Sequence, residues 1–205
     1  MEPFTRLSGP VAVLLEDNVD TDVIFPARFL LITAREGLGH YAFHDRRFAA
    51  DGAESDAFVL NQPRFRAATV LIAGANFGCG SSREQAVWAL LGRGIRCVIA
   101  PSFGEIFHGN CLRNGVMPIV MDEAVARDLA TVAIGGAMFT VDREALTARP
   151  GNAEPIGFTI AEDARQALLA GCDETVLVVQ GYGPQIAAFE QRHRAAQPWL
   201  FEDAA

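Results

Sequence analysis

Short apolar runs bounded by Gly, Pro, Asn and Asp recur along the 205 residues of the chain. Val11–Leu15, Thr69–Ala73, Ile95–Ala100, Met117–Met121, Met138–Val141, Ile156–Ile160 and Thr175–Val179 have the length and composition of strands. Several are continuous rather than alternating, which predicts strands covered on both faces. Between them lie stretches with helical spacing. One spans Arg83–Leu91 and stops at Gly92 and Gly94. Another starts at Ser102, with Glu105 three residues on as a capping box. Val125–Ala130 is short, Ala161–Ala170 closes on Gly171, and a last helix is predicted from Pro184 to Ala195. Tyr41 to Phe65 has weak periodicity and reads as mostly irregular.

Strands mixed with helices over this length predict an α/β fold. Thr69–Ala73, the helix after it and Ile95–Ala100 read as one βαβ unit. The later strands have short connections and are expected to pair antiparallel. No repeat or interdomain linker is visible, so residues 1–205 are read as a single domain.

Half of the residues are apolar, as in a globular protein with a core. Lys and Arg number 17 against 25 Asp and Glu, a formal charge of −8. That balance argues against nonspecific nucleic-acid binding, although clustered arginines can still attract a small anion. No run approaches the roughly 18 apolar residues of a membrane span. The first residues lack a basic stretch followed by a long apolar one, so no secretory signal is expected. Cys79, Cys97, Cys111 and Cys172 include no C-x-x-C pair, the spacing of zinc and iron-sulfur sites. They read as free thiols of a cytoplasmic protein. His40 and His44, four apart, could meet on a helix as metal ligands, but no third ligand completes the set and a surface or packing role fits them as well.

The stretch richest in chemistry is Ala75-Asn76-Phe77-Gly78-Cys79-Gly80-Ser81-Ser82-Arg83-Glu84-Gln85-Ala86, which follows a strand and opens a helix. Gly78 and Gly80 permit positive φ and close backbone approach to a ligand. Ser81 with Glu84, or Ser82 with Gln85, fits a capping box. The loop amides and the helix N-terminus favour negative charge, and Arg83 adds a fork that suits a carboxylate. The same loop could serve only as a tight turn. It is not a P-loop, since no Gly-Lys-Ser/Thr follows, and it is not a G-x-S-x-G nucleophile elbow.

Asn76 to Ala86 resembles the Asn-Phe-Gly-Cys-Gly-Ser-Ser-Arg-Glu-His-Ala signature of isopropylmalate isomerase small subunits, close to the corresponding aconitase motif. Asn18-Val19-Asp20-Thr21-Asp22-Val23-Ile24 with Pro26 is similar to the family's N-terminal motif. Val98 to Phe103 with Ile106-Phe107, then Asn110-Cys111, Asn114-Gly115 and Pro118-Ile119, continue the likeness in order over nearly the whole chain. Gln85 stands where the motif has His, and glutamine cannot titrate near neutral pH.

The resemblance implies a β/β/α swivel domain of the aconitase C-terminal type. It implies stereospecific dehydration and rehydration of a hydroxy-dicarboxylate, with Ser81 as the base in its alkoxide form. Ser82 and Arg83 hold substrate carboxylate, with Gly78 and Gly80 shaping the loop around it. Asp22 matches an acidic active-site position and is expected to orient Arg83 or another polar group; as an Asx cap it would be purely structural. A four-iron, four-sulfur cluster is implied on a separate large subunit, with no cofactor and no metal ligand on this chain.

The segment Phe25-Pro26-Ala27-Arg28-Phe29-Leu30-Leu31 is placed by the resemblance at the variable substituent of the malate. Apolar residues there suit an isopropyl group, and Arg28 would suit a third carboxylate if it faces the substrate. The reading that follows is the isopropylmalate step of leucine biosynthesis. Citraconate or methylmalate, dimethylmalate and homoaconitate are same-chemistry alternatives, and an anion-binding module without activity is an alternative of another class.

Overall fold

The computed structural model describes residues 5–172 and 174–201. In chain order the elements are β1 (Arg6–Gly9), β2 (Val11–Leu14), α1 (Thr21–Ile24), α2 (His44–Arg47), β3 (Val70–Ala73), α3 (Glu84–Gly92), β4 (Cys97–Ala100), α4 (Glu105–Asn114) and β5 (Met117–Val120). They continue with α5 (Glu123–Ile134), β6 (Phe139–Asp142), β7 (Thr147–Pro150), β8 (Ile156–Gly157), α6 (Glu162–Ala170) and α7 (Glu174–Ala196). After a 3-10 turn at Leu38–Tyr41, residues 42–65 hold α2, a single bridge between Phe48 and Glu54 and a 3-10 turn at Val59–Asn61, in line with their weak periodicity.

Two four-stranded sheets result. One is parallel, in the order β2-β3-β4-β5, and the other is antiparallel, in the order β1-β6-β7-β8. Pro10 alone joins β1 to β2, so the chain steps from one sheet to the other across one residue.

The parallel sheet sorts its side chains by strand alternation. Ala12, Leu71, Ala73, Val98 and Ala100 face a core shared with α3, α4 and the segment around Phe25, Phe43 and Phe77. Val11, Val70, Ile72, Cys97, Ile99, Met117 and Ile119 face a second core with α5 and with Phe139, Val141 and Ala148 of the antiparallel sheet. Both faces of β3 and β4 are therefore dry, which is why these strands read as unbroken apolar runs.

The expected set of strands changes in two ways. Thr175–Val179, with four of five residues β-branched, lies in the first turns of α7, a helix that runs on through Pro184. Strand propensity needs a ladder to join, and the last strand of the antiparallel sheet, β8, is only two residues long; α7 instead packs against α6. β1 and β7 add to the expected strands, because four residues with one or two inward positions leave little pattern to read.

Neither expected capping box forms. Arg83 is the N-cap of α3 and Gly104 that of α4, both without a side-chain cap. The Ser102 hydroxyl accepts instead from the Asn76 amide at 2.8 Å.

Candidate active site

The glycine loop is gripped from two sides. The Gly78 amide donates to the Val19 carbonyl at 2.7 Å and the Thr21 amide to the Cys79 carbonyl at 2.9 Å. On the other side the Phe77 amide donates to Ser102 O at 3.1 Å and the Gly104 amide to Phe77 O at 2.9 Å. Side chains add to this: the Asn76 amide group donates to Asn18 Oδ1 at 2.8 Å, and Thr21 Oγ1 donates to the Ser81 carbonyl at 2.8 Å.

Gly78 has φ +74°, and a Cβ built on it would lie 2.2 Å from the Phe107 ring. Its amide and its missing side chain are therefore both committed to packing. Gly80, at φ +90°, is open: the nearest atom to an added Cβ is 3.4 Å away.

Beyond Cys79 the backbone changes character. The amides of residues 80 to 83 have no hydrogen-bond acceptor among the described residues, and Ser81 and Ser82 are exposed. They run directly into the N-terminus of α3, whose first amides lack intrahelical partners. The Ser81 and Ser82 hydroxyls likewise have no partner among the described residues. An anion placed here would meet aligned donors and the positive end of a helix.

Arg83 closes the site. Its side chain is only 11% exposed, and the guanidinium grips both oxygens of Asp22, with Nη2 to Oδ2 at 2.6 Å and Nη1 to Oδ1. Nη1 also reaches Phe25 O at 3.4 Å. Asp22 accepts from the Ala27 amide at 2.9 Å. The hydrogen bond from Arg83 holds the Asp22 carboxyl below its ordinary value, and the reciprocal contact raises Arg83. Since 53% of the Asp22 side chain is in solvent, the pair contributes on the order of 0–1 kcal/mol to stability. Its consequence is geometric: the fork is fixed beside the free amides. The capping job within α1 falls to Asp20, whose Oδ1 accepts from Val23 N at 2.8 Å.

Arg28 is engaged elsewhere. It forms a two-pronged pair with Asp45, contacts His44 Nδ1 at 3.2 Å, and lies 4.5 Å over the Phe29 ring. It shares with Asp22, Pro26, Asp45 and Arg46 the wall of an open pocket of about 350 Å³. Phe29 and Leu30 pack partly against the core, while Leu31 is 93% exposed. His40 and His44 meet edge-on with ring centroids 6.0 Å apart, and no group of three metal-ligating side chains occurs among the described residues. Cys97 and Cys111 are buried, while Cys79 and Cys172 are partly exposed.

The structure thus brings Asp22 against Arg83 and sets Ser81, Ser82 and Gly80 on one open turn. It assigns Gly78 to packing and leaves Arg28 on a separate ion pair. Sequence reasoning missed Thr21, Asn18 and Ser102 as supports of the loop, although Thr21 and Asn18 belong to the N-terminal motif.

A parallel sheet with helices on both faces, an antiparallel sheet joined to it through a shared core, and a serine-rich loop opening a helix mark a domain of the aconitase C-terminal class. The aconitase C-terminal domain family matches residues 1–124, and the family of C-terminal domains from 3-isopropylmalate dehydratase small subunits matches residues 183–203. A 3-isopropylmalate dehydratase small subunit of Rhodospirillum centenum is 50% identical over 201 residues, 97% of this chain and 98% of the relative. One from Caulobacter vibrioides is 46% identical over 98% of this chain and 99% of its own length. The crystal structure of 3-isopropylmalate dehydratase from Methanocaldococcus jannaschii is similar with a TM-score of 0.63 at 26% identity, covering 91% of this chain and 98% of that one. The chain belongs to the 3-isopropylmalate dehydratase small-subunit family.

Proposed function

We propose that this chain is the small subunit of a heteromeric hydro-lyase that interconverts 2-isopropylmalate and 3-isopropylmalate by dehydration and rehydration, in leucine biosynthesis. The reading rests on near full-length identity of 50% to a small subunit of that name, together with a matching open turn, residues 80–83, built to receive an anion.

Ser81 is the base. A serine hydroxyl becomes basic enough only if its alkoxide is stabilised. The free amides of residues 80–83, the α3 N-terminus and the nearby Arg83 supply that stabilisation. As the alkoxide, Ser81 Oγ takes a proton from the carbon beside a substrate carboxylate and returns it as the hydroxyl on rehydration. Ser82 and Arg83 bind that carboxylate, Gly80 keeps the turn open to it, and Asp22 orients Arg83. The chain acts as one unit over residues 1–205, in the cytosol, with a large-subunit partner that completes the active site. The four-iron, four-sulfur cluster expected of this family belongs to that partner, where it would supply the Lewis acid that takes up the departing hydroxide and gives it back on rehydration; none of the roles given to this chain's residues involves it.

Among malate-type substrates an alkyl one is favoured over homoaconitate, because the charge of Arg28 is already matched by Asp45 and a third carboxylate would have to break that pair. The test is anaerobic reconstitution with the large subunit and a panel of isopropylmalate, citraconate, dimethylmalate and homoaconitate. The isolated chain should carry no iron and turn nothing over, and the complex should prefer isopropylmalate. A stoichiometric cluster on this chain alone, or a preference for homoaconitate, would overturn the reading.

A further inference from the structure

The turn that carries Ser81, Ser82 and Arg83 is fastened at its front by Thr21 and Asp22. Its other end is the first turn of α3, and that turn is fastened to a different helix. Asn114, the last residue of α4, donates from Nδ2 to Glu84 Oε1 at 2.7 Å and to Asn110 O at 2.9 Å. Its Oδ1 accepts from Trp88 Nε1 at 2.9 Å. Glu84 and Trp88 are four apart and so lie on one face of α3. One side-chain amide thus uses both its donor and its acceptor to hold two successive positions of that face. All three side chains are partly buried, where such contacts are stiffer than at the surface. Trp88 also carries the guanidinium of Arg35, 4.2 Å from its ring, so the exposed loop before Gly37 rests on the same anchor.

Glu84 directly follows Arg83. Any shift of its backbone moves the N-cap residue and therefore the guanidinium that Asp22 and the Phe25 carbonyl receive. The Asn114-Gly115 pair is conspicuous in the sequence without a role, and the fold places it at this joint. We propose that Asn114 is a positioning residue for the anion site: by tying Glu84 and Trp88 to the end of α4, it fixes the first turn of α3 and with it Arg83 against Asp22. The inference deepens the hydro-lyase reading and rests on it for its kinetic consequence, but the geometry it concerns can be measured on this chain alone.

The test exchanges donor and acceptor. N114D sets a second carboxylate against Glu84 and should detach the turn. E84Q keeps an acceptor for Asn114 and should be close to wild type. The double variant E84Q/N114D places an amide donor on α3 against a carboxylate acceptor on α4 and should restore the tie. In the complex with the large subunit, N114D is expected to raise KM for isopropylmalate about 10- to 100-fold, the scale of a small misplacement of a binding group, with a smaller fall in kcat. The double variant should recover most of that loss.

On the isolated chain, NMR titration of the Asp22 carboxyl should show its inflection moving up in N114D, as Arg83 loosens, and back down in the double variant. A merely structural role would lower thermal stability without moving either readout. Should N114D not fold, E84A removes the tie from the α3 side without pairing two carboxylates, and it should give the same KM and Asp22 shifts. An inactive wild-type complex would count against the hydro-lyase reading while the Asp22 titration still decides this one. Unchanged Asp22 titration in folded N114D or E84A, or a double variant no better than N114D, overturns the proposal.

Discussion

Replacing Gly78 and Gly80 separately by alanine distinguishes packing from backbone freedom in the loop. Both residues lie in the left-handed region, at φ +74° and +90°. An alanine there costs about 1–2 kcal/mol of backbone strain, offset by about 0.4–1 kcal/mol from a less free unfolded chain. These contributions are common to the two sites. At position 78 the new methyl would also lie 2.2 Å from Cγ of Phe107. That ring is 2% exposed and packs edge-on against Phe77, with centroids 5.5 Å apart. It cannot swing into solvent, and overpacking of this kind costs about 1–3 kcal/mol more. At position 80 the nearest atom is the Asp20 Cβ at 3.4 Å, an ordinary contact. Gly78→Ala should therefore lose about 2 kcal/mol more than Gly80→Ala. For a chain of this size that difference separates the two melting temperatures by about 4–8 °C. Thermal unfolding followed by circular dichroism under identical conditions measures it. Equal losses, or a larger loss at position 80, would refute the assignment of Gly78 to packing against Phe107.

Arg83→Lys should raise KM for substrate at least about tenfold with a smaller effect on kcat, because an ammonium cannot reproduce the two-pronged contact; unchanged KM in steady-state kinetics counts against Arg83 as a carboxylate ligand. Asp22 has a folded-state value depressed below the unfolded one by Arg83, so its stabilising contribution is present above the ordinary aspartate range and is lost as pH falls through the depressed value. NMR titration should place the Asp22 inflection below 3.8 and move it upward in Arg83→Gln; identical inflections would contradict the pairing. Burial pushes the Cys97 thiol up to about 12 and Cys111 well above its ordinary value, so a thiol reagent at about pH 8, near the ordinary thiol range, should label only Cys79 and Cys172 in the native chain and all four cysteines after denaturation. Arg28→Ala should leave kcat/KM for isopropylmalate within about threefold, less than one methylene contact is usually worth, and a gain or loss of homoaconitate turnover would show that the arginine takes part in substrate choice.

The parallel sheet was legible because its central strands are buried on both faces. Val70–Ala73 and Cys97–Ala100 have no polar residue to interrupt them. The antiparallel sheet was half hidden, since Arg6–Gly9 and Thr147–Pro150 present few inward apolar positions and depend on their neighbours for identity. Thr175–Val179 misled for the same reason in reverse, since β-branched residues favour a strand only where a sheet edge can accept one.

At the site, motif order located the glycine loop and Asp22, and the fold brought Asp22 onto Arg83 across 61 positions. What the linear sequence concealed is how the loop's groups are divided. The amides of Phe77 and Gly78 are spent on Ser102 and Val19, while those of residues 80–83 have no acceptor among the described residues. That division depends on two strand-like bridges, Asp20 to Cys79 and Phe77 to Phe103, which no local pattern announces. The engagement of Arg28 by Asp45 was equally invisible, because no local pattern links positions 17 residues apart.

The claim that this chain supplies the catalytic base is tested most directly by Ser81→Ala assembled anaerobically with the large subunit. The hydroxyl has no structural partner among the described residues, so the variant should fold and co-elute with its partner as the wild type does. Turnover of isopropylmalate should fall by at least about 10²-fold, the low end for loss of a positioned base. Near wild-type turnover by an intact Ser81→Ala complex would contradict the account.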